Sequence, residues 1–287
     1  MRIGIHVRTA GGYAAAVEHA RDAGCTALQV FSSNPRTYRV TAVDEASLQE
    51  FARMRRDADL DPCAIHTAYL VNLASDDPKI ASGSERLLRA DLEVARLGGM
   101  RYVNTHLGSY GERDRDDGFR AICAALERCL ENIAPGVFLV LENSAGAGNL
   151  AGGTLPELGA IVRAVGHPQL GICLDTAHAW AAGYRIDSAE NVGRFVEEAE
   201  REVGVDKILM FHFNDTQVEL GAARDRHWHI GDGKIGLDGF RALIAHPELR
   251  DKTAILETPG SDADDVRNVQ TVLALERGAI RARAASV

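Results

Sequence analysis

The chain has no paired-cysteine pattern: its five cysteines, Cys25, Cys63, Cys123, Cys129 and Cys173, are odd in number and include no Cys-x-x-Cys spacing. That argues against a disulfide framework and fits a reducing compartment. No stretch reaches the roughly 18 uninterrupted apolar residues of a membrane span. Met1–Ala10 has no basic segment leading into an apolar run and a small-residue cleavage site, so an unexported, cytoplasmic protein without a membrane partner is expected. Positive charge is also in short supply, 32 Lys and Arg against 41 Asp and Glu, a net −9. Taken alone, this opposes a nucleic-acid partner, which normally meets a basic surface. No Pro/Ser-rich linker, charge block or fixed-period repeat divides the 287 residues, leaving no boundary for a second domain within residues 1–287.

What is present is a long alternation. With 46% hydrophobic and 25% charged residues the chain can bury one large core. Short β-branched runs at Arg2–Val7, Ala27–Phe31, Cys63–His66, Tyr102–His106, Phe138–Glu142, Gly171–Asp175, Ile208–Asn214 and Ala254–Glu257 read as strands. Between and after them, Tyr13–Ala23, Asp44–Asp59, Pro78–Leu97, Asp116–Ile133, Pro156–Val165, Ser188–Val203, Leu237–Ala245 and Asp262–Arg277 read as helices. Eight strand–helix units in one domain predict a closed (β/α)8 TIM barrel. A doubly wound open sheet is the structural alternative, disfavoured by the missing glycine-rich phosphate turn after the first strand.

His66, His106, Glu142, Asp175, His212 and Glu257 all fall at or near the C-terminal end of a predicted strand, and in a barrel those ends converge on the face that carries catalysis. His178 follows Asp175 by three residues, and Asp225 and His227 lie in the loop after the seventh strand. One histidine at a strand end is usually a satisfied core or surface residue. Six converging strand ends that carry only His, Asp or Glu leave buried like charges unless cations neutralise them. At about three protein ligands per catalytic ion, this set predicts three ions. Imidazole and carboxylate without thiolate favours zinc, with manganese or iron as alternatives at one site. Three divalent ions, six positive charges, would take −9 to −3 and put positive charge where a phosphate would sit. Cys63 and Cys173, directed away from the ligands by strand alternation, read as core; His19, His167 and His246 read as surface residues. His6 is a candidate hydrogen-bond partner for a ligand, and His229 is left outside the ligand set.

The motifs HTAYLVNL from His66, NTHLGS around His106, LENSAG around Glu142, CLDTAHAWAAGY from Cys173, FHFND around His212, DRHWHIGDGKIG from Asp225 and LETP around Glu257 closely resemble the endonuclease IV family of apurinic/apyrimidinic endonucleases, over essentially the whole chain. The resemblance implies a trinuclear zinc site. One ion would sit on His66, His106 and Glu142, a second on Glu142, Asp175, His212 and Glu257, a third on His178, Asp225 and His227. It implies hydrolysis of the phosphodiester 5′ to an abasic site in double-stranded DNA, leaving a 3′-hydroxyl and a 5′-deoxyribose phosphate, with a 3′-phosphodiesterase side activity and a monomeric enzyme. Glu142 and Glu257 are then the candidate catalytic carboxylates, and Arg36, Tyr69 and Leu70 match positions that enter the base stack. Leu107 stands where the best-known members carry proline, and the Ser32–Tyr38 loop differs in several positions. The rival reading is a xylose isomerase-like sugar isomerase or epimerase using only Glu142, Asp175, His212 and Glu257, for which one or two ions suffice.

Overall fold

The computed structural model describes residues 1–9, 11–40 and 44–284; the remaining positions of the 1–287 span lie outside the described residues. In chain order the elements are β1 (Arg2–Val7), α1 (Gly12–Ala23), β2 (Ala27–Phe31), α2 (Glu45–Asp57), β3 (Cys63–His66), α3 (Pro78–Leu97), β4 (Tyr102–Thr105), α4 (Arg115–Leu130), β5 (Phe138–Glu142), α5 (Leu155–Val165), β6 (Leu170–Asp175), α6 (Thr176–Ala181), α7 (Ala189–Glu202), β7 (Ile208–His212), β8 (Asp215–Thr216), β9 (His227–Trp228), α8 (Gly236–Ala245), β10 (Thr253–Leu256) and α9 (Asp262–Ala284). Strands β1 to β7 and β10 form a closed parallel barrel. β1 closes it, pairing Gly4 with Ile255 on one side and with Ala27 on the other. A Cβ at Gly4 would lie 2.4 Å from the Ala27 carbonyl oxygen, so the closure admits only glycine there.

Local chemistry sets the helix starts. Asp77 accepts from the Lys79 amide at 2.7 Å ahead of Pro78, and Thr154 and Ser188 cap α5 and α7 by accepting from Glu157 and Asn191. Three strand ends differ from expectation: β4 stops at Thr105, β7 at His212 and β10 at Leu256, because the chain turns there to bring its polar residues over the barrel mouth.

The barrel interior positions the site. Ala27, Ala64, Tyr102, Val140, Cys173, Met210 and Ile255, one from each of seven strands, pack into an apolar cluster of their own. Strand side chains repeat every second residue, so the next inward position on each strand is Gln29, His66, Asn104, Glu142, Asp175, His212 and Glu257. The first six of these are at most 3% exposed. A polar ring thus rests on an apolar one. Cys173 corrects the sequence reading in one respect: it shares the inward face of Asp175, one layer below, and it is core because the ring above it stands between it and the mouth. Burial pushes its thiol up to about 12.

Candidate metal centre at the barrel mouth

Glu142, at the end of β5, is the hub. Its Oε2 lies 3.4 Å from His66 Nε2 and 3.5 Å from His106 Nε2, and its Oε1 lies 3.0 Å from His212 Nδ1. Asp175, His212 and Glu257 complete a second set with it, and Asp175, His178 and His227 form a third; within each set one atom per residue lies within 4.8 Å of the others. Asp225 stands over the third set, its Oδ1 3.3 Å from His178 Nε2 and 3.4 Å from His227 Nε2. His178 sits on α6, a helix the sequence reading missed. Asp175 caps that helix, accepting from the His178 amide at 2.8 Å, and one turn of helix returns the imidazole to the mouth.

Most of the imidazoles are oriented from behind. His66 Nδ1–H donates to the Thr67 carbonyl at 2.7 Å, His178 Nδ1–H to the Asn143 carbonyl at 3.0 Å and His227 Nδ1–H to the Glu257 carbonyl at 3.3 Å. Each leaves Nε2 with a free lone pair aimed at the carboxylates. His227 Nε2 is buried with no hydrogen-bond partner, the state of a donor atom shaped for an ion. The residues present therefore fit divalent metal.

The charges agree. Burial pushes the Glu142 carboxyl up, yet His106, His212 and His178 outweigh it and hold the group well below the usual carboxylate range. Burial likewise opposes protonation of His178 and His212, but Asp175, Asp225 and Glu142 around His178, and Cys173, Glu142 and Glu257 around His212, raise both well above an ordinary histidine. His178 beside Asp225 takes that carboxyl down to about 2. The mouth gathers cations, and without metal it gathers protons.

Neutral amides, which the sequence reading did not single out, hold the carboxylates. Asn104 Nδ2 donates to Glu142 Oε2 at 2.6 Å, Asn214 Nδ2 to Asp175 Oδ2 at 2.7 Å and Gln29 Nε2 to Glu257 Oε1 at 2.7 Å. His6 joins them, Nδ1–H to Glu257 Oε1 at 2.7 Å. The loop carrying Asp225 and His227 is tied down by Asp215, whose buried carboxylate accepts the amides of Thr216, Gly231, Gly233, Ile235 and Gly236 at 2.8–3.2 Å; the glycine run GDGKIG is its signal in sequence.

A cleft of about 420 Å³ opens over these residues, with Tyr69, Phe31 and Arg8 among its walls. Arg36, Tyr69 and Leu70 stand on the rim and belong to none of the ligand sets, although the Tyr69 ring lies 5.9 Å from that of His66. Tyr69 is 62% and Leu70 36% exposed, and Arg36 is exposed as well. Their two loops are stitched together: Tyr69 N–H donates to the Pro35 carbonyl at 3.1 Å and Tyr38 O–H to the Leu70 carbonyl at 2.6 Å. His229 turns away to Asn268, and His19 to Asp265 on α9.

Residues 17–279 match the family model of xylose isomerase-like TIM barrels. A probable endonuclease 4 of Natranaerobius thermophilus is 39% identical over 269 residues, 93% of this chain and 95% of its own length. The chain belongs to the endonuclease IV family. The crystal structure of endonuclease IV from Thermus thermophilus superposes with a TM-score of 0.86 at 34% identity, covering 97% of this chain and all of that one. An L-ribulose 3-epimerase structure, at 21% identity and a TM-score of 0.72 over the full chain and 98% of its own, shares the barrel alone with this endonuclease IV homologue.

Proposed function

We propose that the chain is a DNA-repair endonuclease that hydrolyses the phosphodiester 5′ to an abasic site in double-stranded DNA, acting as a monomer in the cytoplasm and using three zinc ions. The observation that carries this reading is the overlap of three ligand sets on one barrel mouth, with Glu142 shared by two of them and Asp175 by two. His66, His106 and Glu142 would hold the first ion; Glu142, Asp175, His212 and Glu257 the second; and His178, His227 and Asp225 the third, with Asp175 facing it. Zinc, or manganese or iron at one position, would supply a water acidified from 15.7 to about 7 and would stabilise phosphate charge. Glu142 and Glu257 orient the attacking water by accepting its hydrogens. The 3′ oxygen would leave beside the third set and take up the proton given up by the attacking water, giving a 3′-hydroxyl and a 5′-deoxyribose phosphate, and the same geometry would serve as a 3′-phosphodiesterase.

The scissile phosphate reaches a recessed site only if its nucleotide leaves the stack, which an abasic nucleotide does most readily. Exposed Tyr69 and Leu70 fill the gap as apolar wedges, and the Arg36 guanidinium engages the stack or its phosphates. A sugar isomerase would need only Glu142, Asp175, His212 and Glu257, leaving His66, His106, His178, Asp225 and His227 without a role. The test is a duplex with one abasic analogue, incubated with and without chelator, beside elemental analysis of the purified protein. Chelator-sensitive 5′ incision and close to three ions per chain are expected; one ion per chain, or no incision, overturns the proposal.

A further inference from the structure

Gln29 carries no charge, belongs to none of the ligand sets and is fully buried at the barrel mouth. Its carboxamide spans two ligands of the second set. Nε2 donates to Glu257 Oε1 at 2.7 Å, and Oε1 accepts from His212 Nε2–H at 3.0 Å. The amide cannot be turned over, because that would set its oxygen against a carboxylate oxygen and its N–H₂ against an N–H. With Nε2–H committed to Gln29, the lone pair of neutral His212 resides on Nδ1, which faces Glu142 Oε1 at 3.0 Å and Glu257 Oε2 at 3.3 Å. At Glu257 the donors from Gln29 and His6 both go to Oε1, leaving Oε2 turned to the centre. His6 Nδ1 reaches Glu257 and lies 3.1 Å from Gln29 Nε2, Asn214 reaches the Asp175 side chain and the Glu257 backbone amide, and Asn104 reaches Glu142. Among these, Gln29 alone holds the side chains of two ligands of the same ion.

We propose that Gln29 is the positioning residue of the second metal site, its one amide selecting Nδ1 of His212 and Oε2 of Glu257 as the ligand atoms. The inference rests on the metal reading above. Partners that orient ligands in this way typically govern metal affinity by 10–100-fold.

The test uses Gln29→Met, which keeps length and shape while removing donor and acceptor, with zinc alone as the probe. Titration against a chromogenic zinc chelator should show one of the three ions bound about 10–100-fold more weakly, and dialysis against that chelator should leave about two ions per chain. Saturating zinc should restore incision, since every ligand remains. Should Gln29→Met fail to fold, Gln29→Asn, which withdraws both groups by one methylene, is read the same way. A folded variant that holds all its zinc with wild-type affinity overturns the proposal, as does one that is fully loaded yet still inactive. If the wild type itself binds no zinc, the metal reading falls and this inference with it.

Discussion

Glu257 is a carboxylate that its surroundings keep ionised against burial. Desolvation pushes its pKa up, but His212, His6 and His66 together hold it well below the usual range. Glu257→Gln preserves the shape, keeps an oxygen to accept from Gln29 and His6 and removes the charge, so it should abolish incision while leaving the circular dichroism and melting curve near wild type. Near-normal single-turnover incision would show that the site is misplaced. On the rim, the Tyr69 ring meets Phe31 edge-on at 5.3 Å with its outer face free. Tyr69→Ala should weaken binding to an abasic duplex by about 1–3 kcal/mol, the scale of one lost stacking contact, with metal content unchanged; loss of zinc in that variant would make Tyr69 a structural prop. Charged and imidazole side chains at strand ends announce themselves in sequence, which is why His66, Glu142 and Asp175 could be picked out. Gln29, Asn104 and Asn214 could not: a neutral amide gains its meaning from facing inward one step above Ala27 or Tyr102, and that parity is settled by the closed barrel.

Among the elements, α3 reaches the rim through one buried acid. Asp91 is 4% exposed and accepts a hydrogen bond from Ser32 at the head of the loop carrying Arg36. Burial is the larger effect and pushes its carboxyl up to about 7. Because the folded value lies above the unfolded one, the unfolded chain releases this proton first as pH rises from about 4. Stability therefore falls across the window from about 4 to 7 and is lowest above it, by at most about 4 kcal/mol. Asp91→Asn should raise the melting temperature at pH 8, with little effect at pH 4, and flatten the pH profile between; unfolding midpoints at several pH values check this. Helix α6 shows where element reading stops. Six residues give too little periodicity to register, and the helix begins at Thr176, directly after β6 ends at Asp175. The long helices α3 and α7, each with a capping residue and an amphipathic face, met their expected positions closely.

For the whole molecule, charge dictates an order of events. A chain of net −9, with Glu142, Asp175 and Glu257 gathered at the mouth, repels a polyanion until cations arrive. Metal-stripped protein should therefore bind an abasic duplex far more weakly than loaded protein at the same ionic strength, and zinc should restore binding before any incision is measured, for instance with Glu257→Gln as the binding form. Equal affinity with and without metal would place DNA recognition on the rim alone. The barrel was readable from eight alternating units, and the gathering of His, Asp and Glu at its mouth from the residue types at their ends. How the loop from β8 to α8 folds back was not, since it depends on five amides meeting the single carboxylate of Asp215.

The apolar ring of Ala27, Ala64, Tyr102, Val140, Cys173, Met210 and Ile255 makes the barrel a one-sided electrical object. It is an insulating stopper: the polarisable water that would blunt the charges above is kept from them on the inner side, so their field escapes chiefly through the mouth. An ion or phosphate arriving there meets nearly the full strength of the centre. The same stopper holds no water to screen the opposite end of the barrel, so a charge introduced there would still be felt at the centre.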